Sequence, residues 1–316
     1  MINDMITRML IYYTTYAVGF ILMLLLSLLR CGVYGSSRAR AAVYSFITFL
    51  SGFAGALIIG TVYNFLFSLK GIETDVKVDV LGAVIFTALF LLAAVTVEKR
   101  YLRRKAGKAS QRETEGAAPV RTVSFRDTMD MMIPGSFLVF ACIKFGCHIR
   151  GCCCGVEWSW GIYFPERDIT LFPVQLFECA TLCLIVLTCI LFQQTKVFRR
   201  GMTGPFAANL YGVARFFWEF FRYNTPEMRR FLFGMTQWQL FSILVIVVSA
   251  VWLTVLYKTQ PAEPLPKGLL PKKAGTKQSG GKQKTGKAAA NKSKNGTTHA
   301  AGKKKKPAAK PGKRKR

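Results

Sequence analysis

Apolar runs of membrane-crossing length constrain this chain more than any other feature. A helix needs roughly 20 apolar residues to cross a bilayer, and such runs recur along the sequence. The first is Met9 to Leu29, with Tyr12, Tyr13 and Tyr16 near its start, where aromatic rings suit the interface. Val43 to Leu69 is the second, carrying Gly52, Gly55 and Gly60 for close helix packing. Val80 to Val97 is the third and stops at Glu98, Lys99 and Arg100. Asp127 to Cys147 is weakly apolar and contains Pro134, Gly135 and Lys144, which predicts a broken or amphipathic fourth span with a cavity-facing side. Pro173 to Phe192, Thr203 to Phe221 and Gln239 to Tyr257 complete the set. The pattern predicts an all-α polytopic membrane protein of about seven transmembrane helices.

The first run lacks an A-x-A-type cleavage site and reads as a retained helix. Basic residues set its direction. With the N-terminus outside, Arg30, Arg38 and Arg40, nine basic residues in 99–126, and Lys196, Arg199 and Arg200 all fall inside. The opposite loops hold only eight, so N-out, C-in is the expected orientation.

The formal charge of +28 is uneven. Residues 259–316 contain 18 Lys and Arg against one acid, Glu263, and few large apolar side chains. Such a segment cannot bury a core. It predicts a disordered, Lys-rich cytoplasmic tail after a membrane domain over 1–258, with anionic lipid heads as its candidate contact. A charge so concentrated says nothing of nucleic acid for the body, where none is expected. No paired broken helices recur in two halves, which argues against a transporter.

Two polar constellations stand out. Residues 144–178 read KFGCHIRGCCCGVEWSWGIYFPERDITLFPVQLFE and hold four of the nine cysteines and the only histidine outside the tail, His148. Three adjacent cysteines point in different directions, so the reading is a tight turn framed by Gly151 and Gly155 with small packed thiols. A thiolate metal site and an external disulfide are its alternatives, and no metal ligands are assigned. In the sixth span, Tyr211, Arg215, Glu219 and Arg222 follow at spacings of four, four and three and share a helix face. Such a stripe is expensive in a membrane unless it lines a wet cavity or a polar ligand. Either Arg215 and Glu219 pair internally to fix packing, or the guanidinium is aimed at an anion, a phosphate by geometry.

The order KFGCHIRGCCCG, PVQLFE, LYGVARFFWEFFR and a late Gln239 resembles the prolipoprotein diacylglyceryl transferase family, strongly from about Asp127 to Tyr257. The resemblance implies transfer of the diacylglyceryl group of phosphatidylglycerol to the lipobox cysteine of a prolipoprotein, at the outer face of a bacterial plasma membrane. It implies no cofactor. Its partners are phosphatidylglycerol, the signal-peptide and lipobox segment of the precursor, and membrane lipids. Position by position, it places a functional Tyr at Tyr211, the essential Arg at Arg215, a supporting acid at Glu219 and a second Arg at Arg222. Tyr16 matches the first-helix Tyr, and Gly146 with Gly151 to Gly155 the signature turn. Two positions depart from the family. Its Arg before the signature Gly is Lys144 here, which keeps the charge and loses the bidentate fork. Its His-Gly-Gly segment is replaced by KVDVLGAVIF (Lys77 to Phe86), leaving His148 as the candidate base. A relative that binds anionic lipid or precursor without transfer is the alternative these departures suggest.

Overall fold

A computed structural model describes residues 2–69, 80–110, 124–164, 168–223 and 234–265. The expected tail contact and most of the tail, residues 266–316, lie outside the described residues, as do the loop at 70–79 and part of 99–126.

Seven α-helices make up the described body: α1 (Ile2–Arg30), α2 (Arg38–Ser68), α3 (Val80–Ser110), α4 (Phe125–Arg150), α5 (Val174–Phe192), α6 (Thr203–Trp218) and α7 (Gln237–Thr259). Six of them, all but α6, are long and apolar enough to cross a membrane. Their outward sides are apolar, with Leu10, Leu50, Leu184 and Val251 exposed. Apolar faces of this length have no use for water, and the chain is a multi-pass membrane protein. α4 is the central helix, packed against α1 and α5, while α2 pairs with α3 and α6 with α7.

The fourth span, expected to be broken or amphipathic, is continuous. Pro134 removes the N–H that would bond the carbonyl of Asp130. That carbonyl accepts instead from Gln193 Nε2 and from the Tyr34 hydroxyl, both at 3.0 Å. Side chains distant in sequence thus repair the ladder, a route open to helices in lipid. The sixth span is also shorter than expected: α6 ends at Trp218 and continues only as a 3-10 turn, Glu219–Phe221.

At one end of the bundle lies a buried polar network. The Asp130 carboxylate accepts from the backbone N–H of Gly201 (2.6 Å) and Thr203 (3.1 Å), fixing the loop from α5 to α6. Gln193 is fully buried. It accepts from Arg30 (2.6 Å) and Tyr34 (2.8 Å) and donates to Thr203 Oγ1 (2.7 Å). Residues 260–265, which composition assigns to the tail, run back along this end; the Leu265 N–H donates to the Gln193 carbonyl at 2.8 Å.

At the other end, α4 leads into an antiparallel strand pair, β1 (Glu157–Phe164) and β2 (Ile169–Leu171), with Tyr163 opposite Thr170. The segment EWSWGIYF is rich in the aromatic and branched residues that suit a pleated surface, a signal the span-based reading passes over.

Candidate anion-binding site

The polar residues at this second end converge on one carboxylate. Glu178 lies one turn into α5 and is 5% exposed. Lys144, from the last turns of α4, reaches its Oε2 at 2.8 Å. Arg222, just past α6, donates to both carboxylate oxygens at 2.8 Å. Arg215, on α6, reaches Oε1 at 3.4 Å. Arg215 also pairs with Glu219 at 2.9 Å, the expected i,i+4 contact. Glu219 in turn accepts from the Thr236 hydroxyl at 3.2 Å, where Thr236 and Gln239 form the capping box of α7. Among the described residues, three cations therefore share two acids, all largely withdrawn from water. Buried charge of this kind is retained at a cost unless it serves an anion.

A cleft opens beside the cluster, lined by Lys144, Glu178, Thr181, Leu182, Tyr211 and Arg215, with Trp218 at its edge. Aromatic faces flank the cations: Trp238 lies 5.8 Å from Arg215 and Phe140 lies 5.3 Å from Lys144. Tyr211 packs edge-on against Phe140, ring centroids 5.6 Å apart. The Trp218 indole donates to Thr181 at 3.1 Å, tying α6 to α5 across the cleft.

The turn after α4 aligns these parts. Gly146 lets α1 approach α4, since a side chain there would collide with Thr15. Gly151 caps α4 at φ 72°, a left-handed conformation suited to glycine. Gly155 bridges Arg222 as an isolated strand contact, and a Cβ at Gly155 would overlap the carbonyls of Phe172 and Phe221. Val156 N–H bonds the Phe221 carbonyl (3.0 Å) and Tyr223 N–H the Cys154 carbonyl (3.2 Å), so the turn grips the segment that carries Arg222.

The structure thus gathers Lys144, Tyr211, Arg215, Glu219 and Arg222. Tyr16 and His148, also predicted from the sequence, do not line the cleft. Tyr16 bonds the Tyr12 hydroxyl (2.8 Å) and packs with Cys147. His148 is half-buried one turn beyond Lys144. Two residues at the centre were missed. Glu178 is the one charged residue in the run from Pro173 to Phe192, which was signal enough to flag it. Gln175, fully buried, donates to the Cys152 carbonyl at 2.6 Å and pins the turn to α5.

The prolipoprotein diacylglyceryl transferase family matches residues 5–255 of this chain. Two curated relatives share shorter segments. The chain is 35% identical over 95 residues to a phosphatidylglycerol–prolipoprotein diacylglyceryl transferase of Wolbachia pipientis subsp. Culex pipiens (strain wPip), covering 28% of this chain and 36% of the relative. It is 32% identical over 105 residues to phosphatidylglycerol–prolipoprotein diacylglyceryl transferase 2 of Clostridium perfringens (strain 13 / Type A), covering 31% and 40%. In both cases the matched segment is less than half of the relative's length. The chain belongs to the prolipoprotein diacylglyceryl transferase family.

Proposed function

We propose that this protein transfers the diacylglyceryl group of phosphatidylglycerol to the lipobox cysteine thiol of a prolipoprotein, at the outer face of a bacterial plasma membrane. The observation that carries this reading is the convergence of Lys144, Arg215 and Arg222 on one buried carboxylate beside a cleft. The reaction displaces glycerol phosphate from a glyceryl carbon. Negative charge grows on the departing phosphate ester, and preorganised cations in a dry site stabilise it without reorganising. Arg215 is the principal phosphate-facing cation, held in aim by Glu219. Arg222 and Lys144 assist, with Lys144 acting as a point charge where a guanidinium would bind two oxygens. Tyr211, on the cleft wall, positions the ester. Orientation with the N-terminus outside places this end of the bundle at the external face.

The test is complementation of a strain lacking the transferase, scored by lipid attachment to a reporter lipoprotein. Attachment is expected; none at good expression overturns the activity.

A further inference from the structure

The turn between α4 and β1 has a feature that phosphate binding does not require. Gly151 N–H bonds the His148 carbonyl at 3.1 Å, and Cys152 N–H reaches back to the Cys147 carbonyl at 3.2 Å. This closure sets Cys147 and Cys152 side by side. Cys153 then adopts φ 58°, which is unfavourable for any residue with a Cβ. Among the described residues, only Asp168 is another non-glycine with positive φ. The outcome is that the sulfurs of Cys147, Cys152 and Cys153 lie within 4.8 Å of one another. Cys154 turns away, its thiol donating to the Gly151 carbonyl at 3.1 Å. None of the nine cysteines is in a disulfide.

Thiols that merely fill space need neither convergence nor a strained backbone. Three converging thiols make a ligand set, contrary to the expectation that adjacent cysteines diverge. We propose that Cys147, Cys152 and Cys153 form a three-thiolate site for a soft d10 cation of the zinc(II) class, beside the phosphate cleft, with one coordination position open. Zinc–sulfur bonds of about 2.3 Å place ligand sulfurs roughly 3.8–4.0 Å apart, within about 1 Å of the separation here. Three thiolates around a dication carry a net negative charge, and Lys144 and Arg222 lie close enough to offset it.

The site rests on geometry alone, whereas its role rests on the transferase reading. Three protein ligands with a vacant fourth position mark zinc centres that do chemistry. A metal held by Cys147, Cys152 and Cys153 would supply Lewis-acid activation of the acceptor cysteine, whose thiol would give up its proton to solvent. The sulfur then attacks the glyceryl carbon. The new S–C bond replaces the C–O bond, and glycerol phosphate leaves with the bonding pair, held by Arg215. The oxidation state of every atom involved in binding the metal is unchanged. A thiolate supplied in this way replaces the base that the family's absent His segment would provide.

Reduced protein in detergent, titrated with cadmium(II), tests the site through sulfur-to-cadmium absorption in the ultraviolet. One cadmium per chain is expected, displaced by zinc(II), and weakened at least about tenfold in Cys153→Ser. Cys153 is exposed, so this variant tests the site even if Cys147→Ser fails to fold. Cys183→Ser, on α5, should bind as wild type. No absorption in reduced wild type, or loss in Cys183→Ser and not in Cys153→Ser, overturns the site. Alkylation of the denatured, unreduced protein should find all nine thiols; two missing, restored by reductant, identifies a disulfide and overturns a resident metal. Stripping the metal should lower transfer at least about tenfold, with recovery on adding zinc. Unchanged transfer overturns the role and leaves the site standing. Cadmium bound by a wild type that transfers nothing defeats the transferase reading instead.

Discussion

The two ends of α4 solve the same problem in opposite ways. Asp130 and Lys144 are separated by about 21 Å of helix rise, and each sits in a buried polar network that also draws on α5 and α6. Around Asp130, backbone N–H groups meet the carboxylate, and Gln193 distributes four hydrogen bonds among Arg30, Tyr34, Asp130 and Thr203. Neutral groups do most of the satisfying there, and the network locks a loop. Around Glu178, the partners are full charges, cations outnumber acids, and a cleft runs alongside. At the first end a carboxylate is satisfied by backbone N–H groups, and two nitrogens of the buried Arg30 guanidinium have no hydrogen-bond partner among the described residues; at the second, three cations surround one carboxylate beside a cleft. The contrast teaches that a buried carboxylate met by neutral donors fixes a loop, whereas one met by cations beside a cleft concentrates positive charge where an anion can be held.

That division can be broken experimentally. The largest effect is expected in Arg215→Ala: the rate of lipid transfer to a lipobox peptide should fall about 10²–10³-fold. The change removes the ion pair of buried Glu219, so the rate is taken per folded molecule, with Arg215→Lys as the variant that keeps the charge. A rate within a few-fold of wild type would remove Arg215 from the phosphate. Gln193→Leu is the mirror case. It strands several buried groups and should lower unfolding stability in detergent by about 3 kcal/mol or more. The transfer rate per folded molecule should stay within about twofold; a large drop would dissolve the contrast between the two ends. Gly155→Ala is intermediate. Its Cβ overlaps the Phe172 and Phe221 carbonyls and should displace Arg222, lowering transfer about tenfold or more, as misplacement of about 1 Å can do. The smallest effect is expected in His148→Ala, within about twofold in rate, because His148 does not line the cleft. A hundredfold loss there would make it the base.

Much of the bundle was legible in the sequence because lipid demands long apolar helices and tolerates little else. Half of the site was legible too: Tyr211, Arg215, Glu219 and Arg222, on the cleft wall or in the charged cluster beside it, declare themselves through helical spacing on a single segment. Other features depend on contacts across the chain. Pro134 leaves a broken span as one of two readings, and Gln193 and Tyr34, far away in sequence, supply the hydrogen bonds that exclude it. Glu178 is visible as a lone charge, but nothing local says that three cations from two other segments meet on it. The cysteines were read as diverging because no pattern encodes the left-handed backbone of Cys153.

Glu178 itself has a further consequence. The cations never wait uncovered, because a carboxylate already occupies the place an incoming anion needs. Entry is therefore an exchange of counter-ions, and a small free anion gains little by displacing one that is covalently tethered. An anion that arrives with its own anchorage is in a different position, since each buried methylene of an acyl chain adds about 0.8 kcal/mol. Under the proposed activity, the tethered carboxylate would act as a threshold that a phosphate carried on two lipid tails crosses and inorganic phosphate does not.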